Sequence, residues 1–223
     1  MRDKLSTSMV VISALIFLAL FSCATTHNEQ IESIIWSSNK AIESNPNNPM
    51  AYNNRGSAYM IMGKRDLAIS DYTKALEIDP KYAEAYFSRG MAFCIMRQYD
   101  KAISDLDNAV EIDPRHARAY NERGIAYYET GQYDQALSDF NKAIEINPVL
   151  GQGYYNRGRF YYFRKEYDKS WEDLKKAQEL GREVPPFILN KLRRALEKQD
   201  RGIGQTRFLD GGQPRVCDDH FLK

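Results

Sequence analysis

The side chains best suited to covalent or metal chemistry are few and scattered in this chain of 223 residues, which has three cysteines and three histidines. Cys94 and His116 are the residue types of a thiolate–imidazole nucleophile. Cys94, however, lies in a predicted helix among packing residues, where cysteine usually acts as a small buried apolar side chain. The histidines lack the spacing of a metal site, and no glycine-rich phosphate loop follows a predicted strand. We therefore predict no catalytic site, no metal and no cofactor.

Charged residues also recur in two regular rows. The rows are Arg55, Arg89, Arg123 and Arg157, and Asp71, Asp105, Asp139 and Asp173. They fall on successive predicted helices, so they either pair across a helical hairpin or to the next one, or remain two rows of solvated charges. An exposed pair would contribute about 0–1 kcal/mol. In each case their role is structural.

The arginines belong to a repeated unit of 34 residues. The segment that begins with Ala51 and ends with Arg55-Gly56 has counterparts beginning at residues 85, 119 and 153. Tyr52, Gly56 and Tyr59 are spaced i, i+4 and i+7 and therefore share one helical face. A second apolar face follows after a short break, and Pro80 ends it, because the residue before a proline is disfavoured in a helix. Each unit is predicted to form a helical hairpin.

This order of aromatic, glycine, aromatic, alanine, aromatic, alanine and proline resembles the tetratricopeptide repeat family. The resemblance implies an all-α, right-handed superhelical solenoid of antiparallel helix hairpins. Arginine precedes the glycine where family members often have leucine, and the last unit has Ser170 and Arg182 for alanine and proline. The four predicted units are residues 49–82, 83–116, 117–150 and 151–182.

The array is predicted to extend at both ends. A partial repeat helix covers residues 30–46, and a capping helix covers residues 185–199, since a terminal repeat needs a polar outer face. Residues 200–223 are predicted to be a flexible tail. The residues of the partial helix expected to face inward are Ile31, Ile34, Ile35 and Ile42.

Residues 1–22 are predicted to be a signal peptide. The apolar stretch from Met9 to Phe21 is shorter than the ~20 residues of a membrane-spanning helix. The segment from Leu20 to Cys23 resembles the lipobox of bacterial lipoproteins. That resemblance implies that Cys23 is lipidated and anchors the protein, through a linker of residues 23–29, on the periplasmic or outer face of a bacterial membrane. A secreted form and an uncleaved anchor remain open.

Composition restricts the partners. Thirty-one Lys and Arg nearly balance thirty Asp and Glu, so we expect no nucleic-acid partner. Three cysteines are too few for a disulfide framework, although pairing of Cys94 with Cys217 remains open in an oxidising compartment. The oligomeric state is not specified by the sequence.

The family resemblance implies a groove, lined by the first helices, that binds a peptide or helix of a protein partner. The lysine–asparagine clamp that some family members use to hold a C-terminal carboxylate is absent. We therefore expect a non-catalytic, membrane-tethered adaptor of the cell envelope, or alternatively a permanent subunit of pilus, secretion or cell-wall machinery. The implied groove residues are Asn53, Ser57, Met60, Phe87, Met91, Asn121, Ile125, Tyr128, Tyr155, Arg159 and Tyr162.

Overall fold

The computed structural model describes the backbone of residues 28–205 and the side chains of residues 28–199, and its regular secondary structure there is entirely helical. The predicted all-α class is therefore confirmed over this range. The chain divides after Pro148 into two compact units, which we describe separately. No helix between residues 28 and 205 is long and apolar enough to cross a bilayer. The signal segment, Cys23 and residues 206–223 lie outside the described residues.

The first unit contains a single helix, α1 (residues 28–44), and three hairpins. The second unit contains one hairpin and a longer final helix, α10 (Pro186–Gln205). Helix α10 begins where the capping helix was predicted but continues through Gln205, beyond the predicted end at residue 199. The hairpin helices are α2 (Pro49–Ile61), α3 (Arg65–Ile78), α4 (Ala83–Ile95), α5 (Tyr99–Ile112), α6 (Ala117–Glu129), α7 (Tyr133–Ile146), α8 (Gly151–Phe163) and α9 (Tyr167–Glu179).

Each first helix ends in the same backbone motif. In α2, the Gly63 amide donates to the Met60 carbonyl at 3.0 Å and the Lys64 amide donates to the Tyr59 carbonyl at 2.8 Å. These two bonds satisfy carbonyls that the helix end leaves without partners, and they require a left-handed residue. The left-handed residues that follow the four first helices are Gly63, Arg97, Gly131 and Lys165.

The two helices of a hairpin approach closely at the glycine of the first helix. A Cβ atom on Gly56 would lie 2.7 Å from Cε1 of Tyr72, and one on Gly124 would lie 2.8 Å from Cε1 of Phe140. Tyr72 is fully buried and Phe140 is almost so. The aromatic side chain of the second helix therefore occupies the space that any larger residue would need.

The arginine and aspartate rows form ion pairs across each hairpin. In the second hairpin, Arg89 donates from Nε and Nη2 to both carboxylate oxygens of Asp105, at 2.7 and 2.8 Å. Its Nη1 donates to Oγ1 of Thr73 in the preceding hairpin, at 3.0 Å. Of the pairings considered from the sequence, the rows adopt the one across the hairpin; the link to the preceding hairpin goes to Thr73, which belongs to neither row, and solvated rows are excluded. The hydrogen bond to Asp105 raises the pKa of Arg89.

The same geometry recurs along the chain. Arg55 binds Asp71 and Asn39 of α1, while Arg123 binds Asp139 and Asp107. In the second unit, Arg157 donates to both oxygens of Asp173 at 2.8 Å. The side chains of the aspartate row are at most 9% exposed, whereas that of Asp107 is 51% exposed. Arginine before the glycine thus supplies a buried polar connection between helices.

Helix α1 buries less of its apolar surface than the sequence predicted. Ile31 is buried, and Ile35 and Ile42 are half-buried. Ile34 is 41% exposed, so the prediction that it faces inward was wrong. Trp36 is also largely exposed, at 64%. Helix α1 therefore carries more apolar surface than the neighbouring helices cover.

Candidate protein-binding site

The first helices of the first unit form one surface. Helix α4 contacts both α2 and α6, so the implied groove residues of these three helices lie on adjacent elements. We call them the first-helix surface. Five of its members are half-buried and contribute to the solvent-facing side, namely Ser57, Met60, Met91, Ile125 and Tyr128.

Three implied groove residues are buried rather than exposed. Asn53 is 5%, Phe87 is 1% and Asn121 is 2% exposed. The centroids of the Phe87 and His116 rings are 4.7 Å apart. The Arg118 guanidinium lies over the Phe87 ring, 4.6 Å from the centroid of that ring. Phe87 therefore packs beneath the surface and is not an accessible contact. The 34-residue register placed it on the correct helix but did not show that its neighbours cover it.

Polar side chains lie beneath the first-helix surface at helix α2. The Asn53 side-chain oxygen is buried and has no hydrogen-bond partner among the described residues. Close by in sequence, Ser57 donates to the Asn53 carbonyl at 3.0 Å and accepts a bond from the Tyr72 hydroxyl at 3.3 Å. An acceptor that is buried without a partner is costly. The Asn53 oxygen is therefore an unsatisfied acceptor beneath the first-helix surface.

Acidic groups lie on the same helices. His116 accepts from the Ala119 amide through Nδ1, so its Nε2–H is the donor to Glu84, at 3.1 Å. Burial raises the pKa of Glu122, whose carboxylate accepts a bond from the Asn121 side chain at 3.2 Å. Sequence reasoning missed the pair of His116 with Glu84, because the two residues are 32 positions apart, at opposite ends of one repeat.

Cys94 and His116 do not form a catalytic pair. Burial raises the pKa of Cys94 to about 12, so its sulfur is a thiol at neutral pH and a poor nucleophile. Both His116 nitrogens have other partners, as described above. Among the described residues, no group of three or more His, Cys, Asp or Glu side chains could hold a metal ion.

The second unit presents a different first-helix face. Tyr155, Arg159 and Tyr162 of α8 are half-buried. The guanidinium of Arg159 lies 5.8 Å from the Tyr155 ring centroid, and that of Arg182 lies 4.9 Å from the same centroid. Sequence reasoning missed Arg182, because it occupies the position of the closing proline and was interpreted only as a departure from the repeat.

Comparison with known protein families identifies the repeat. A family model described as Tetratricopeptide repeat matches residues 49–82 and 117–148, and another with that description matches residues 71–104. A model described as TPR repeat matches residues 92–131. These matches fall on the hairpins of the first unit. Residues 49–148 therefore consist of tetratricopeptide repeats, as their residue pattern predicted.

Solved structures of similar proteins agree. The crystal structure of MamA is 29% identical with a TM-score of 0.57, and the match covers 66% of this chain and 86% of that one. MamA from Desulfovibrio magneticus RS-1 is 22% identical with a TM-score of 0.59, over 68% and 85% of the two chains. PilW, a type IV pilus biogenesis factor, is 20% identical with a TM-score of 0.69, over 80% and 84%. The last two share the fold alone. A search of curated proteins gave no match.

Proposed function

We propose that this chain is a non-catalytic adaptor that holds a peptide or helix of another protein on the first-helix surface. The observation that carries the proposal is the composition of that surface. Half-buried Met60, Met91, Ile125 and Tyr128 lie on three adjacent helices. Methionine and tyrosine adapt to varied apolar partners, and buried aromatic residues often dominate binding energy.

Tethering to a bacterial cell envelope completes the proposed function. If Cys23 carries acyl chains, the adaptor acts at a membrane surface, where confinement raises the effective concentration of its partner. We expect Cys23→Ser to move the protein from the membrane fraction to the soluble fraction, since each buried methylene of a lipid anchor contributes about 0.8 kcal/mol. Fractionation of cells that express either form measures this. An unchanged membrane fraction would show that Cys23 is not the anchor.

The binding proposal is tested by recovery of partners from an envelope extract. We expect a bait carrying Met60→Glu and Met91→Glu to recover much less partner than the native chain, because two carboxylates would be desolvated in the contact. The matched control is Ile112→Glu, which places a carboxylate on α5 at a residue that is already 37% exposed.

Circular dichroism must show the same melting temperature for all baits. Should the double variant fail this requirement, Met60→Gln with Met91→Gln replaces it, because glutamine is close to methionine in size and carries no charge. Equal recovery by a folded first-helix variant and the native chain would refute the assignment of this surface.

A further inference from the structure

The two units carry opposite charge although the whole chain is nearly neutral. Residues 28–148 contain 13 Lys and Arg against 18 Asp and Glu, a net charge of −5. Residues 149–199 contain 12 Lys and Arg against seven Asp and Glu, a net charge of +5. The charge of the whole chain therefore conceals a basic second unit, and charge of one sign on a folded unit attracts ligands of the other sign.

Part of this positive charge is concentrated at one aromatic ring. Arg159 and Arg182 both lie within 6 Å of the Tyr155 centroid, at 5.8 and 4.9 Å. A tyrosine face attracts a guanidinium, so one ring holds two cations that would otherwise repel each other. Arg182 is exposed and Arg159 is half-buried, so a ligand can reach the former directly. We call these three residues the Tyr155 site.

Neither arginine of the Tyr155 site has a carboxylate partner in the described part of the chain. Arg157, two residues before Arg159, illustrates the contrast: both oxygens of Asp173 accept its hydrogen bonds, at 2.8 Å. The same helix therefore has one arginine that holds the hairpin together and another whose hydrogen-bonding groups remain available. Guanidinium groups bind carboxylates in a two-pronged geometry that lysine cannot match.

We propose that the Tyr155 site binds an acidic segment of a protein partner, with Arg159 and Arg182 each holding a carboxylate and the Tyr155 ring contacting the chain between them. The two guanidinium carbons cannot lie further apart than the sum of their distances to the shared ring. That limit accommodates two carboxylates placed two residues apart on an extended chain, which are separated by about 7 Å. The site deepens the proposed adaptor function, on which it rests, by naming the chemistry of one partner segment.

A peptide titration tests this site. The probe is a fluorescein-labelled ten-residue peptide with alternating Glu and Gly, and its neutral counterpart has Gln for Glu. We expect the full chain, kept in mild detergent, to bind the acidic peptide at least tenfold more tightly than the neutral one. The preference should weaken as salt is raised, because screening reduces attraction between exposed charges.

Matched variants separate the site from the general charge of the second unit. We expect Arg159→Gln with Arg182→Gln to weaken acidic-peptide binding at least tenfold. The control, Arg164→Gln with Arg194→Gln, removes the same charge from two exposed residues and should change the affinity less than twofold. Equal losses in both pairs, or no preference of the native chain for the acidic peptide, would overturn the proposal. Both double variants must keep the native melting temperature. Tyr155→Leu provides a second test: it leaves the charge unchanged and should also weaken binding of the acidic peptide.

Other polyanions and a second copy of the chain provide further tests. Tighter binding of single-stranded oligothymidylate than of the acidic peptide would contradict a site for acidic protein segments. Salt-sensitive self-association, measured by light scattering and lost in the Arg159→Gln, Arg182→Gln variant, would assign the site to the acidic unit of another copy and also overturn the proposal. The adaptor function is judged separately by the envelope baits. Recovery of a partner through the first-helix surface without acidic-peptide binding would refute only the Tyr155 site.

Discussion

Arg123→Met should lower the free energy of unfolding by about 3–5 kcal/mol at pH 7.5, because it leaves a buried carboxylate without its cation. Asp139 has a side chain that is only 7% exposed, and Arg123 donates to both of its oxygens at 2.7 and 2.8 Å. Arg123 also binds Asp107 at 2.8 Å and lies over the rings of Tyr120 and Tyr127. Its removal therefore affects two hairpins at once. Chemical denaturation of the two proteins measures the difference.

The loss should diminish as the pH falls. Burial raises the pKa of Asp139, and Arg123 opposes that rise. In Arg123→Met the opposition disappears, so the folded variant binds a proton at a pH where the unfolded chain does not. Stability then increases as the pH is lowered, because the folded state binds more protons than the unfolded state. We expect a smaller deficit at pH 5.0 than at pH 7.5.

Lys142→Met is the control for this experiment. The Lys142–Glu145 pair has side chains that are 42% and 69% exposed, and such pairs contribute about 0–1 kcal/mol. We expect a change below about 1 kcal/mol at both pH values. If Arg123→Met cost no more than Lys142→Met, the half-buried arginine row would not stabilise the hairpins. A pH-independent deficit would contradict only the role of Asp139.

Gly124→Leu should cost at least about 3 kcal/mol, because the hairpin leaves no space for a side chain at this position. A Cβ atom there would lie 2.8 and 2.9 Å from two ring carbons of Phe140 and 3.2 Å from the carbonyl oxygen of Ala136. Leucine is a strong helix former, so helical propensity by itself would favour the replacement. A measured loss therefore reports the overlap between α6 and α7.

The control places the same side chain on the same hairpin without an overlap. Gln135 is exposed on α7, and Gln135→Leu should change the unfolding free energy by less than about 0.5 kcal/mol. Thermal and urea unfolding should rank the three proteins in the same order. A Gly124→Leu protein as stable as native would show that α6 and α7 separate easily, contrary to the packing described here.

The fold was predictable because the sequence repeats its constraints. Gly56, Gly90 and Gly124 recur with the same spacing as their large partners on the second helix, so periodicity identified both faces of every hairpin. The same recurrence identified the arginine and aspartate rows but left their partners open. Which residue each arginine pairs with depends on distances in the folded structure, and these do not follow from the spacing in the sequence.

The candidate sites were less predictable for a related reason. The repeat register assigned Phe87 to the partner groove, but its burial depends on His116, at the far end of the same repeat, and on Arg118 of the next repeat. Arg182 was overlooked because its contact with Tyr155 joins residues that are not at equivalent repeat positions. Side chains that depart from the repeat pattern can therefore define a binding surface without being visible in that pattern.

The central claim is that the first helices of the first unit hold a protein partner. Its most direct test is the affinity of a partner recovered by the native bait, measured by calorimetry against the native chain, the Met60→Glu, Met91→Glu variant and the Ile112→Glu control. We predict at least a tenfold rise in Kd for the double variant and less than a twofold change for the control. Equal affinities for the native chain and the double variant, or a larger loss in the control, would contradict the claim.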